Sequence, residues 1–406
     1  MRIKKSIISI LLILGIVISE NLFYELYMVN ANEISEVKKE IKTNINPEEF
    51  SSDLPYMENF GQAVNTYLNK TDNGYEVVFV SDKIYIVNYD NNWNVIGNRE
   101  LDFELPIFGA FYYGEKYNYV VCGQKAGSKE TKEAYRVIKY DKDFNRLDAL
   151  SISNDLSYTA RPFLGGDIAV AENNGELIIY TARNRYDGHQ SNMTIKVNTD
   201  NMTEYSCMSD FWATEYMYPY KHVSHSLRQI VKFDGDYPVY VDLSDGYPER
   251  SVYLQSYYGS QPLLKISGDI GDNVTNAEVS GMEISPTNYL VVGSSMNNEM
   301  NNIFLSSYNK SLNTSECEWL TASSTFYAEG YGNPKIVKIN DDRFAVMWSA
   351  SKGPSVQYVI VDGKGAVISN LKNLNFAYLS DCEPIYDNNR IILVNIFDGK
   401  VNFDLI

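Results

Sequence analysis

Histidine is almost missing from this chain, with three imidazoles in 406 residues against thirty-three tyrosines. So few neutral bases and nitrogen ligands leave little room for histidine-based chemistry outside one neighbourhood. The four cysteines, Cys122, Cys207, Cys317 and Cys382, are far apart and form no C-x-x-C pair. That spacing gives a cysteine-built zinc site no support; an even number of cysteines permits disulfides in any of three connectivities, but the thiols read as free or buried. Basic residues are outnumbered 35 to 52, leaving a net charge of −17. A nucleic-acid backbone would be bound against that field, so nucleic acid is not an expected partner. The chain also lacks G-x-S-x-G, the phosphate-binding loop and the dinucleotide fingerprint, which sets aside serine-hydrolase and nucleotide chemistry. Beyond the N-terminus there is no second long apolar run.

The N-terminus carries the one such run. "MRIKK" followed by "SIISILLILGIVIS" is a basic segment leading into an apolar one, and Val29-Asn30-Ala31 supplies small residues at the positions a signal peptidase requires. Residues 1–31 therefore read as a signal peptide and the product as secreted, extracellular or held at the cell surface. An uncleaved anchor is the alternative, and Glu20, Asn21 and Glu25 interrupt it; it is the one way this reading brings the chain to a membrane. Residues 32–59 form a charged linker with room for one strand, and 60–406 form the folded body.

That body repeats a short strand, a polar turn and a richer apolar strand, as in "AVNTYLNKTDNGYEVVFVS", "GDIAVAENNGELIIYTA" and "PKIVKINDDRFAVMWS". The turns carry the Asn, Asp and Gly that hairpin geometry demands. Aligning Tyr75, Tyr119, Leu177, Tyr237, Tyr289, Phe344 and Ile391 gives intervals of 44, 58, 60, 52, 55 and 47 residues. Most copies are followed by a second hairpin, such as "IYIVNYDNNWNVI" or "YRVIKYDKDFNRL". Four antiparallel strands repeated seven times predict an all-β fold, a seven-bladed β-propeller, whose radial closure removes exposed sheet edges. The last unit ends after its third strand at "VNFDLI", so its outer strand is expected from the segment between Ile41 and Phe60.

In such blades, with strands A to D from axis to rim, the B–C loops and D-to-A links share one face. The B–C loops "ARNRYDGHQSN" and "SDGYPERS" and the link "EYMYPYKHVSHS" would then gather all the histidines near blades 3 and 4. Arg183, Tyr186, Asp187, His189, His222, His225, Tyr247 and Arg250 are the candidate ligand-binding residues, with Gln190, Gln229 and Glu249 close by. The plain alternative is that loops are polar in any case and that His225 is a satisfied residue opening an inner strand. "YDNNWN" and "YDKDFN" contain Asp90, Asp141 and Asp143 in an order similar to that of calcium loops, but no bidentate Glu follows and both read as hairpin turns. "SGDIGDNVTN", with Asp269 and Asp272, is a further candidate calcium link.

"YDGHQSN", "HVSHS" and "DGYPERS" together resemble a family of exported bacterial seven-bladed propellers without an assigned activity. The resemblance implies fold and export and carries no catalytic residue. Three histidines with Gln229 also resemble the manganese site of seven-bladed oligogalacturonate lyases; it would be built here from His189, His222, His225 and Gln229, with Arg183 or Arg250 holding a substrate carboxylate. The cofactor would be a divalent metal: manganese, zinc or calcium. Two functions follow. One is a ligand-binding propeller recognising a glycan or an extracellular protein or peptide on the face of blades 3 and 4, and the other is a metal-dependent polysaccharide lyase or hydrolase.

Overall fold

A computed structural model describes residues 29–30, 64–126, 132–163, 168–186, 188–208, 226–244, 246, 249–270, 274–297, 299–322, 332–349, 355–375, 377, 379–397 and 400–405. The chain forms a β-propeller of four-stranded antiparallel blades. Blade 1 takes Thr66–Thr71, Gly74–Val80, Ile84–Asp90 and Val95–Leu101 as strands A to D. Blade 2 runs from Ile107–Tyr113 to Arg146–Ser153, blade 3 from Ile168–Asn173 to Thr203–Met208, and blade 4 from Ser226–Asp234 to Gly259–Lys265. Blade 5 spans Glu278–Ile284 to Thr314–Trp319, and blade 6 spans Gly332–Asn340 to Lys372–Asn375.

Complete blades of four consecutive strands therefore number six, where seven units were expected. The remaining unit contributes three strands, Ile385–Asp387, Arg390–Phe397 and Lys400–Leu405. Its outer edge is paired by a two-residue strand in which Val29 faces Phe403 and Asn30 faces Asn402. The strand that meets this edge is thus Val29–Asn30; the expected donor, residues 41–60, lies outside the described residues.

Among the described residues seven apolar clusters hold the ring together, each bridging two neighbouring sheets. The closing unit's Ile392 and Val394 pack with Val77 and Phe79 of blade 1, while its Ile391 and Leu393 pack with Ala345 and Met347 of blade 6. Alternation explains how one strand serves two junctions, because successive side chains point to opposite faces. Strand B of blade 4 shows it: Val239, Val241 and Leu243 face blade 5, whereas Tyr240 packs on blade 3.

The turns behave as hairpin geometry requires. Asp90 accepts hydrogen bonds from the main-chain N of Asn92 and Asn94 and from Asn94 Nδ2, and Asp141 repeats the pattern with Asp143 and Asn145. These bonds hold both carboxyls below their ordinary range, led by the Asn side chain in each case. Each carboxylate is occupied by its own turn. Asp269 lies on an exposed bend, and Asp272 is outside the described residues. Cys122, Cys317 and Cys382 are free thiols, and the side chain of Cys207 is not described.

Candidate functional site at the junction of blades 3 and 4

Strand C of blade 3 reads "QSNMTIKVN", in which Met193, Ile195 and Val197 pack toward blade 2. The alternate residues Asn192 and Thr194 are just as deeply buried, so the side facing blade 4 is polar. Blade 4 answers in kind: opposite the valines of strand B, the buried residues are Tyr240, Asp242 and Ser244. The apolar cluster at this junction has five buried members among the described residues, against fifteen at the junction of blades 4 and 5.

Asp242 is the centre of the polar region. Its Oδ2 accepts from Tyr180 Oη at 2.6 Å, from Asn192 Nδ2 at 3.3 Å and from Ser226 Oγ. Asn192 Nδ2 also donates to Tyr180 Oη at 2.9 Å. Ser226 Oγ receives Gln229 Nε2 at 2.9 Å, and the Ser226 carbonyl receives Gln190 Nε2. These contacts fix the amides: with each NH2 turned to an acceptor, each carbonyl oxygen points the other way. Gln190 Oε1, Asn192 Oδ1 and Gln229 Oε1 then have no hydrogen-bond partner among the described residues, and neither do Ser191 Oγ and Thr194 Oγ1. All five side chains are at most 6% exposed.

Backbone geometry brings Gln229 here. The pairing of strands A and B in blade 4 jumps from Leu227 to Ile230, so Arg228 and Gln229 form a bulge, with Arg228 at φ 57°. A bulge re-aims a side chain that regular alternation would send elsewhere. Arg228 turns to Glu278 of blade 5 at 3.1 Å.

The sequence-predicted residues separate sharply. Arg183 is fully buried, its Nε donating to the Ser157 carbonyl at 3.1 Å and its Nη1 to the carbonyls of Asn192 and Ser191. It ties the short helix Asn154–Ser157 to strand C of blade 3, so its guanidinium is engaged with main-chain carbonyls. Arg250, 9% exposed, similarly donates to the Ser267 carbonyl at 2.6 Å. Glu249 pairs with Lys265 at 3.0 Å.

His189 is exposed at the end of a tight B–C turn, in which Arg185 N donates to His189 O at 2.8 Å and Gly188 N to Arg185 O at 3.0 Å. Beside it Tyr186 meets Tyr158 edge-on at 5.2 Å, and the Arg185 guanidinium covers Tyr158 at 5.1 Å. Burial pushes the Tyr186 phenol up. Asp187, His222, His225 and Tyr247 lie outside the described residues.

The metal reading can be tested on Gln229 and His189. The Gln229 oxygen has the right chemistry for an ion and a fixed orientation, whereas the His189 imidazole belongs to an exposed turn. Among the described residues, no group of three His, Cys, Asp or Glu side chains comes together to hold a metal.

Sequence reasoning placed Gln229 and Gln190 near the site and missed Asp242, Asn192, Ser226 and Tyr180. One signal was present. Propeller strands B and C are covered on both sides, so polar residues at alternate positions in "QSNMT" and "VYVDLS" mark a polar junction and not a solvent face.

No family model and no curated protein matches the sequence. Among solved structures, the chain is similar to the β-propeller domain of the Trilobed protease from Pyrococcus furiosus, with 11% identity, TM-score 0.43 and coverage of 84% of this chain and 94% of that one. It is similar to the acylaminoacyl peptidase of Pyrococcus horikoshii at 12% identity and TM-score 0.43, over 83% of this chain and 52% of that one, about half the peptidase's length. An α-L-arabinofuranosidase from Lactobacillus brevis aligns at 10% identity and TM-score 0.37 over 84% of this chain and all of its own. Likeness this slight transfers neither a site nor an activity.

Proposed function

We propose that this protein is an exported ligand-binding propeller that takes a glycan or an extracellular peptide at the upper end of the junction between blades 3 and 4. The observation that carries the reading is the set of buried oxygens at Gln190, Asn192 and Gln229 that have no hydrogen-bond partner among the described residues. A buried polar atom without a partner costs about 1–3 kcal/mol, so several in one place are expensive for a core that serves only to fold. The amides offer oxygens, so the complementary ligand presents hydrogen-bond donors. Sugar hydroxyls and peptide N–H groups both do. In this proposal His189 and Tyr186, on the B–C turn that leads into Gln190, contribute to the rim of the site; His222, His225, Asp187 and Tyr247 lie outside the described residues.

Glycan and peptide arrays probed with the full chain and with Asn192→Leu test the reading. Ligands retained by the wild type and lost by the variant support it; identical profiles would falsify it. Export rests on the leader sequence. Cleavage after Ala31 would also remove Val29 and Asn30 from the edge of the closing sheet, and N-terminal sequencing of the native protein decides whether that happens.

A further inference from the structure

The lower face, formed by the A–B and C–D turns, carries an exception to the propeller's own rule. Aligned by sequence, Tyr75, Tyr119, Leu177, Tyr289, Phe344 and Ile391 all fall at the second position of strand B and are at most 5% exposed. Tyr237 falls at the first position of its strand and is 46% exposed. A shift of one residue sends the ring to the other side.

The adjoining C–D turn departs in the same direction. In blades 1, 2 and 3 the left-handed turn residue, Trp93, Phe144 or Met202, folds back and is at most 7% exposed. Blade 4 has a shorter turn, Tyr257-Tyr258, with rings 60% and 45% exposed. Tyr237 and Tyr257 stack at 4.0 Å and 19°, and Tyr258 stands against Tyr257 at 84°.

The three rings are held in place. Gly259 has φ 153°, and a Cβ there would sit 2.3 Å from Asn313 Oδ1 and 2.7 Å from Tyr308 Oη, so the turn lies directly on blade 5. On the other side Asn173 Nδ2 donates to Gly235 O at 3.1 Å and Asn174 Nδ2 to Asp236 Oδ1 at 2.9 Å, which pins the A–B turn to blade 3. Rigid aromatic rings lose little entropy on binding.

We propose that Tyr237, Tyr257 and Tyr258 form a stacking platform for a pyranose ring of a neutral glycan, separate from the junction of blades 3 and 4. A pyranose has an apolar C–H face and a rim of hydroxyls. The first matches the open face of Tyr257 beside the perpendicular ring of Tyr258, and the second matches the polar edge at Asp236 and Asn174. The net charge of −17 disfavours a uronate-bearing chain and selects a neutral one.

Calorimetric titration of the full chain with cellohexaose, xylohexaose and hexagalacturonate tests the proposal. At least one neutral hexasaccharide should bind and the anionic one should not. Tyr257→Ala should weaken the neutral sugar by roughly tenfold, the scale of one aromatic contact, and Tyr257→Phe should restore most of it. Failure of both neutral sugars to bind, or equal binding by wild type and Tyr257→Ala, overturns the platform. Loss in Asp242→Asn with full binding in Tyr257→Ala would put the sugar at the upper junction and also overturn it. A wild-type dimer that Tyr257→Ala dissociates in sedimentation would make the patch a subunit interface and overturn it equally.

Discussion

The junctions on the two sides of blade 4 are built from the same strands and come out differently. Toward blade 5, Val239, Val241 and Leu243 belong to a cluster of fifteen buried apolar residues, and a half-buried ion pair stands at the lower end: Asp234 accepts from Tyr289 Oη at 2.8 Å and pairs with Lys310 Nζ at 2.8 Å. Toward blade 3, the alternate residues of strand B build the polar network on Asp242, where Tyr180 plays the part of Tyr289 and the other groups bonded to Oδ2 are Ser226 and Asn192. One tyrosine–carboxylate contact sits in a hydrocarbon wall beside a lysine. The other sits among amides whose oxygens have no described partner. A polar residue is therefore costly or useful according to what surrounds it, since a fully satisfied group rigidifies and an unsatisfied one invites a ligand.

The most severe test of this contrast is at Arg183. If its bonds to the carbonyls of Ser157 and Asn192 belong to the frame, Arg183→Ala should lower unfolding free energy by about 4 kcal/mol, because a buried charged donor and its packing are lost together. Chemical denaturation measures it, and a loss below about 1 kcal/mol would return Arg183 to the ligand-facing set.

A buried carboxyl in an apolar setting gives the next largest effect. Glu76 belongs to strand B of blade 1, and burial pushes its carboxyl from 4.5 to about 7, against partial relief from Tyr113 and Lys142. Its folded value lies above its unfolded one, so the folded state binds the proton more tightly. Stability from this group is complete below about pH 4.5 and falls as the pH rises through 7, by at most about 3 kcal/mol. Glu76→Gln should flatten that decline and be the more stable protein at pH 8, as thermal unfolding across the range will show.

Two substitutions of similar size and opposite sign separate the closed junction from the polar one. Tyr289→Phe removes a satisfied hydroxyl from the closed junction and should cost about 1 kcal/mol. Thr194→Val replaces a hydroxyl that has no described partner with a methyl of nearly the same shape, and should stabilise the ligand-free protein by about 1 kcal/mol. Destabilisation by Thr194→Val would mean that the polar junction is satisfied after all. Smallest is Asn145→Ala, which deletes one side-chain bond at 2.9 Å in an exposed turn and should change the melting free energy by about 0.5 kcal/mol.

Local features were legible in the residues alone. Short apolar runs rich in Val and Tyr such as "GYEVVFV" and "YVVCG", and Asn, Asp and Gly at the turns, specify hairpins through interactions within a few residues, and the repeat of those hairpins implies radial packing. The use of Asp90 and Asp141 within their own turns was legible for the same reason, their partners being two and four residues away. The roles of Arg183, Asp242 and Tyr237 depend instead on how distant segments pack. Arg183 bonds to Ser157, 26 residues back, Tyr180 meets Asp242 across 62 residues, and Val29–Asn30 reaches the strand Lys400–Leu405 at the other end of the chain. Gln229 owes its aim to a bulge and Tyr237 its exposure to a one-residue shift in strand position, neither of which leaves a mark in residue type. Alternation says that two faces differ; only the packed neighbour settles whether the polar face meets water, a lysine or a second polar face.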